Sequence, residues 1–389
     1  MKLIVAILVC VASVPMFALP QYTLITGNRC INCHVNAQGS GLRNDLGFLS
    51  TEDISIVSFK DIGLSVLEKN LTTNQLLDGK LTYGLDFRMQ SARKYNYDAS
   101  ISPDSISRKT FPMQASIYAS VQPVQWFYIE GQYNFGRLGY TGQREWAASL
   151  NIQPSLDLPS LRAGFFQPSI GIRYDDHTML VRTQPDAFLK PLIAPYLAEW
   201  GTEVRYNAPL WFDVSAGIFT SKGLGNLSFK DTTNTDQFLV DSTKMSLNGR
   251  IAFTPRFFEE TLNTNIGASI LNNGDFTMIN SFVGIGWQDH ASLMIEYMMQ
   301  GNKNQRQLRS FSSELMYKVY DPLYVYVRAE RGNNDNVIKG VATNKYTNQY
   351  VFGVQAFILP FIELRPEYRI IDTEEYYRTR WTVQLHVFY

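Results

Sequence analysis

From about residue 80 to residue 389 the chain is a succession of segments of roughly ten residues in which apolar and polar side chains alternate, divided by turn residues. A period of two places successive side chains on opposite faces of a strand. Segment 80–92 sets Leu81, Tyr83, Leu85, Phe87 and Met89 on one face against Asp86, Arg88 and Gln90 on the other. Segment 380–389 sets Trp381, Val383, Leu385, Val387 and Tyr389 against Arg380, Thr382, Gln384 and His386. In segment 361–370, Glu363, Arg365, Glu367 and Arg369 occupy alternate positions. Charges on one face of a strand whose other face is apolar belong in a wet lumen lined by strands.

Sixteen such segments begin near residues 80, 111, 126, 143, 161, 196, 211, 244, 262, 277, 290, 308, 322, 346, 361 and 378. Their links alternate in length. Short ones fall at Val124-Gln125, Asn207-Ala208, Gln288-Asp289, Tyr320-Asp321 and Pro360, and long ones at 93–110, 177–195, 221–243 and 332–345. Short periplasmic turns facing long external loops are the outer-membrane pattern, and an even count leaves both barrel ends on the periplasmic side. The tryptophans divide the same way. Trp126, Trp211 and Trp287 stand beside short turns and Trp146, Trp200 and Trp381 beside long loops, as two interfacial belts would. A soluble β-sandwich or propeller also alternates, but it does not sort tryptophans by loop length.

Composition agrees. There are 22 Tyr and 24 Phe, and after the N-terminus no run of 18 apolar residues that would make a spanning helix. Mean hydropathy is slightly polar, at −0.15. The 35 basic residues balance 35 acidic ones without a basic block, which argues against nucleic-acid binding. The expected fold is all-β: a transmembrane antiparallel β-barrel of about 16 strands over residues 80–389, with 14 or 18 strands as the alternatives. The surrounding partner is then outer-membrane lipid, and the location is the bacterial cell outer membrane.

Residues 1–18 read as a signal peptide, with Lys2, an apolar core from Leu3 to Val14, and Ala18 before the cut. Cys10 falls inside it, and Val9 before it rules out a lipobox. The mature chain then keeps only Cys30 and Cys33, in the run Cys30-Ile31-Asn32-Cys33-His34. C-x-x-C-H is the attachment sequence of a c-type haem: the thiols bond the porphyrin vinyl groups and the adjacent imidazole binds the iron. The other readings are a redox dithiol, a disulfide, or half of a zinc site. A dithiol has no need of the histidine, and no further His or Cys lies between residues 35 and 176 to complete a zinc site. Cys30 and Cys33 are thus expected to hold one covalent haem c, with His34 as proximal iron ligand.

Residues 19–79 form the haem segment, too small for a core of its own and better suited to a plug or lid that borrows apolar walls from the barrel. No His or Met lies between residues 35 and 88, so a sixth ligand must come from the barrel, from solvent or from a weaker donor. His177 is the first candidate and His386 the second, followed by His290, Met179, Met89 and the pair Met298-Met299. Asp175-Asp176-His177 is alternatively a hard Fe(II) site at the barrel mouth. Link 177–195 carries Phe188, Leu189, Leu192 and Ile193 among Pro185, Pro191 and Pro195. So apolar a link is expected either to fold inward and narrow the lumen or to pack as a short helix on the rim.

Export signal, single C-x-x-C-H and porin-like barrel together resemble the fused monohaem cytochrome–porins of the bacterial outer membrane, including iron-oxidising outer-membrane cytochromes. The likeness rests on Pro20-x-Tyr22, Gly27, Cys30-x-x-Cys33-His34 and Gly41-Leu42-Arg43 through Gly47-Phe48, with Arg162-Ala163-Gly164-Phe165-Phe166-Gln167-Pro168, Gly171 and Asp176-His177-Thr178. It implies electron transfer across the outer membrane between a periplasmic carrier, such as a soluble cytochrome, and an external donor or acceptor, Fe(II) among them. Other classes stay open: a solute porin with a structural or regulatory haem, and a haem sensor or assembly partner for other cytochromes.

Overall fold

The computed structural model describes residues 20–36, 39, 41–52, 54–96, 107–135, 146–155, 157–172, 179, 197–209, 211–225, 228–230, 236–238, 240–274, 276–302, 306–338, 341–374 and 377–389. Among them sixteen strands form the barrel wall. The first eight are β1 Leu81–Asn96, β2 Ser107–Val124, β3 Phe127–Asn134, β4 Trp146–Ile152, β5 Ser160–Phe166, β6 Glu199–Tyr206, β7 Phe212–Phe219 and β8 Ser246–Phe253. The second eight are β9 Leu262–Asn273, β10 Phe276–Trp287, β11 Ala291–Asn302, β12 Arg306–Tyr320, β13 Leu323–Ile338, β14 Val341–Leu359, β15 Ile362–Thr373 and β16 Tyr377–Phe388. Each start lies within five residues of its expected position.

Every strand pairs antiparallel with its successor, and β16 pairs with β1 from Phe388↔Asp86 to Arg378↔Asn96. That last ladder closes the sheet. In hydrocarbon an unpaired strand edge has no water to satisfy it, so closure is what allows the sheet to span. Prolines sit where the ladder is interrupted: Pro112 beside the register shift at Arg88/Met89, and Pro123 in the bulge between Val121 and Val124. Lacking an N–H, proline is confined to such places.

The faces sort as the alternation requires. On β1, Leu85 and Phe87 point out while Asp86, Arg88 and Gln90 are buried inside; on β10, Ile279, Val283 and Ile285 point out. All six tryptophans are exposed on the outer wall. Trp126, Trp211 and Trp287 stand at one rim, and Trp146 and Trp200 at the other with ring centroids 6.1 Å apart.

One expectation needs correction. Link 332–345 is not a long loop: β13 and β14 pair through it, from Gly332↔Thr347 to Ile338↔Val341. The Asn- and Asp-rich stretch 333–336 has loop composition, but its backbone groups continue the hairpin ladder. Of link 177–195, only Met179 is described; it is fully buried inside the barrel. The flanking Ile170, Ile172 and Leu197 share its apolar cluster. Residues 1–18 and Asp175, Asp176 and His177 lie outside the described residues.

An arginine near the bilayer midplane on the lipid face costs about 2–4 kcal/mol. Val283→Arg, central on β10, is therefore expected to lower unfolding free energy in lipid vesicles by about that amount, read from a urea titration of tryptophan fluorescence. An unchanged midpoint would place Val283 away from lipid.

Candidate functional site

Helix α1, Pro20–Thr26, opens the described chain and is buried along its whole length. Proline suits a first helical turn, where its missing N–H has no partner to lose. Leu24 O accepts from Asn263 Nδ2 at 2.9 Å, Ile25 O accepts from the Asp289 amide at 2.9 Å, and Gln21 donates to Glu314 of β12. A Cβ at Gly286 would stand 2.2 Å from Leu24 O, so the wall is glycine where the helix touches it. Tyr22 packs edge-on against Tyr324, centroids 5.0 Å apart. These contacts hold α1 inside the barrel at the short-turn end.

Gly27 ends α1 at φ +71°, the left-handed conformation that lets the chain reverse. Arg29 ties the reversal to the wall, donating to the carbonyls of Asn207 and Pro209 at 3.1 and 3.2 Å. Cys30–Cys33 then forms a single helical turn, α2, closed by the His34 amide on Cys30 O at 2.9 Å. His34 is extended and bridges to Arg43, whose guanidinium lies 4.2 Å over the Phe388 ring.

Asn44 locks this turn. Its Nδ2 donates to the carbonyls of Ile31 and Asn32 at 3.2 and 3.0 Å, and its Oδ1 accepts from the Gly47 amide at 3.0 Å, capping helix α3, Asp45–Glu52. A Cβ on Gly47 would fall 2.0 Å from Cys33 O, so only glycine lets α3 lie against the C-x-x-C turn. Phe48 on α3 stacks on Phe361 and meets Tyr389 edge-on, 5.1 and 5.0 Å away. Asn44 was not a candidate by sequence; the available signal was an Asn immediately before the acidic first turn of α3.

Cys33 and His34 are buried, at 1% and 2% exposure, and Cys30 is half-buried. Burial pushes the Cys33 thiol up to about 12, with Cys30 adding to it. Burial also raises Cys30, against the pull of Arg250 and Arg205. Reactive dithiols need lowered thiols, so this environment opposes the redox-dithiol alternative. Cys30 and Cys33 form no disulfide, and no group of three or more His, Cys, Asp or Glu among the described residues completes a metal site.

The donor set fits a covalently attached haem: two cysteines on one helical turn that form no disulfide, with an imidazole directly after them. Cys30 opens on a lumenal cavity lined also by Arg29, Arg205, Asp213 and Arg250.

The sixth-ligand candidates separate. His386 is buried with Nδ1 2.9 Å from Glu363 and Nε2 2.8 Å from Asp86, so both ring nitrogens are engaged by carboxylates. His290 is exposed at a short turn and stacked on Trp287 at 4.3 Å. Met89 and Met299 lie on the lipid-facing side of their strands, whereas Met179 and Met298 are buried in one lumenal cluster. His177 lies outside the described residues.

The fold is similar to those of solved outer-membrane channels. OprB of Pseudomonas putida matches with a TM-score of 0.55 at 13% identity, over 85% of this chain and 97% of that one. The outer-membrane channel DcaP of Acinetobacter baumannii matches at 0.55 and 10% identity, over 82% and 99%. An anion-selective porin from Comamonas acidovorans matches at 0.52 and 10% identity, over 79% and 99%. No protein-family model and no curated protein matches the chain. The chain is a closed sixteen-stranded antiparallel barrel with an apolar outer wall, the fold of bacterial outer-membrane channels, and its short turns gather at one rim.

Replacing Asn44 with Ala removes a helix cap and two carbonyl ties, a loss of about 1–2 kcal/mol. Trypsin is expected to cut after Arg29 and Arg43 faster in N44A than in the parent, and equal rates would show that the turn is held otherwise. In folded haem-free protein, iodoacetamide is expected to modify Cys33 far more slowly than in urea, with the rate climbing steadily above pH 9, the ordinary range for thiols (about 8.5). Equal rates in both states would mean that the thiol is open to solvent.

Proposed function

We propose that the protein is a fused monohaem cytochrome–porin that transfers electrons across the outer membrane through one haem c, bound by Cys30 and Cys33 with His34 as proximal ligand. The observation that carries this reading is the seating of the C-x-x-C-H turn inside a barrel whose interior is packed. One apolar cluster joins Leu24 of α1 to Ile170, Ile172, Met179 and Leu197, and to Leu271, Met278, Phe282 and Met298 of the wall. Another joins Tyr22, Ile25, Phe48, Ile54 and Phe59 to Tyr324, Tyr326, Phe357 and Phe388. Sixteen-stranded porins leave an aqueous channel, whereas here apolar side chains occupy that space.

Bound there, the haem supplies one-electron exchange between ferrous and ferric iron. The chain's own residues do the rest. Asn44, Gly47 and Arg29 fix the turn at the periplasmic mouth, where a soluble electron carrier can reach it. The closed strands exclude lipid, and the apolar clusters keep water from flooding the lumen. The external donor or acceptor, Fe(II) or another metal species, exchanges electrons from the opposite rim. Ion pairs such as Arg328–Glu314 at 3.1 Å and Arg365–Glu363 at 2.9 Å neutralise the buried lumenal charges and hold the wall rigid around the plug.

A second reading is a solute porin in which the haem is structural or regulatory. It is favoured by the likeness to channels, one of them anion-selective. Liposomes loaded with a soluble cytochrome c and carrying the purified protein separate the two. External dithionite or Fe(II) is expected to reduce the trapped cytochrome while a trapped small sugar stays inside. Escape of the sugar with the cytochrome still oxidised would establish the porin reading instead.

A further inference from the structure

Seven short turns close one rim of the barrel, from β2–β3 to β14–β15. Six of them leave a large apolar side chain exposed: Trp126, Leu158, Trp211, Phe258, Trp287 and Tyr320, each between 50% and 78%. The boundary between hydrocarbon and headgroups selects such a ring of side chains. The β14–β15 turn breaks the series. Its Phe361, at φ +63°, is 5% exposed and stacks inward on Phe48 of the plug. At the adjoining β16–β1 seam Tyr389 is half-buried against the same Phe48 and Phe361.

The chain leaving the plug occupies that sector and is pinned to the rim at both ends. The Ile56 and Val57 amides donate to the Phe357 and Ile358 carbonyls at the foot of β14, at 2.8 and 3.3 Å. At the other end the Tyr83 amide donates to Asn74 O at 3.0 Å, and the short strand Gln75–Leu76 pairs with β1 through Leu76↔Leu81. Leu81 shares the face of Leu85 and Phe87, so Leu76 extends the outer wall beneath the end of β16. Between the pins lie a single 3₁₀ turn, Lys60–Ile62, and helix α4, Ser65–Asn70, with no buried residue in either. Ile62, Leu64, Val66 and Leu67, then Leu76 and Leu77, are 39% to 71% exposed. Contiguous exposed apolar side chains mark a contact surface, and a helix of six residues is not held by water alone. Lys60 and Lys69 offset Asp61 and Glu68, so the surface is apolar without a charge preference.

We propose that residues 60–77 are an interfacial anchor of the plug: their apolar side chains lie in the phospholipid leaflet beside the short-turn rim and complete the ring that β14–β15 and the seam leave open. The occupant is phospholipid because the surface is continuous, through Leu76 and Leu81, with the lipid-facing wall. The anchor requires a barrel that spans a bilayer and is independent of the haem. The plug is then fastened to the membrane as well as to the wall, and it cannot leave the lumen without drawing these side chains out of lipid.

The test uses the full-length protein in phosphatidylcholine nanodiscs, where both faces are open, with heat-modifiable gel mobility reporting barrel assembly. A nitroxide spin label on V66C, and separately on L64C, is compared with one on V283C in the wall and with label free in buffer. Parent protein treated in the same way corrects for Cys30. Collision with oxygen, which partitions into lipid, relative to collision with a neutral nickel chelate, which stays in water, is expected to rise well above the free-label ratio toward that of V283C. Adding phosphatidylglycerol to the disc is expected to leave that ratio unchanged. In the same discs V66D/L67D is expected to speed tryptic cleavage after Lys69 about tenfold, because apolar side chains no longer hold the segment in lipid. A free-label ratio at both positions would place the segment in water and overturn the proposal. So would two other outcomes: a label shielded from both reagents only when soluble cytochrome c is added, which makes the surface a protein-docking site, or only when two barrels share a disc, which makes the occupant a second copy.

Discussion

The ladder between β16 and β1 is the constraint on which the remainder depends. With Phe388↔Asp86 through Arg378↔Asn96 paired, no strand edge faces lipid and the sheet acquires an inside. Once there is an inside, the period-two alternation acquires meaning: Leu85 and Phe87 go to the bilayer, and Asp86, Arg88 and Gln90 go to the lumen. The same closure brings Asp86 of β1 within 2.8 Å of His386 of β16, with Glu363 of β15 on the other side of the ring. The seam is thus locked by backbone pairing and by a doubly held imidazole.

The lumen created by closure is then occupied by the N-terminal segment. A segment of that size cannot bury enough apolar surface alone, and its helices are short. Tyr22, Leu24, Ile25 and Phe48 obtain their burial from the wall, and the wall obtains from them a filling for space that water would otherwise take. The C-x-x-C-H turn inherits its rigidity from that exchange. Asn44 and Gly47 transmit it over a few ångströms, one by hydrogen bonds and the other by the absence of a side chain.

Much of the architecture was legible in the sequence because barrel strands repeat one local rule. The sixteen strand positions, the lipid-facing set and the tryptophan rims follow from alternation and link length. The hairpin through 332–345 was misread because Asn-Gly-rich composition signals a loop, while the pairing that makes it a strand comes from its neighbour. Of the site, Cys30, Cys33 and His34 were visible as a motif. What the motif could not reveal were its long-range partners. Gln21 on Glu314 and Leu24 on Asn263 join residues far apart in the chain, through a register that no local pattern encodes. His386 looked available as an iron ligand until the register placed a carboxylate on each side of its ring.

The central claim is that the plug inside this barrel carries a thioether-bound porphyrin. The sequence provides a direct readout, because cleavage after Arg29 and Arg43 releases a single peptide containing both cysteines and His34. Mass spectrometry of that peptide from outer-membrane protein is expected to show one haem retained after acid extraction and denaturation. The unmodified peptide, with both thiols open to alkylation, would contradict the account.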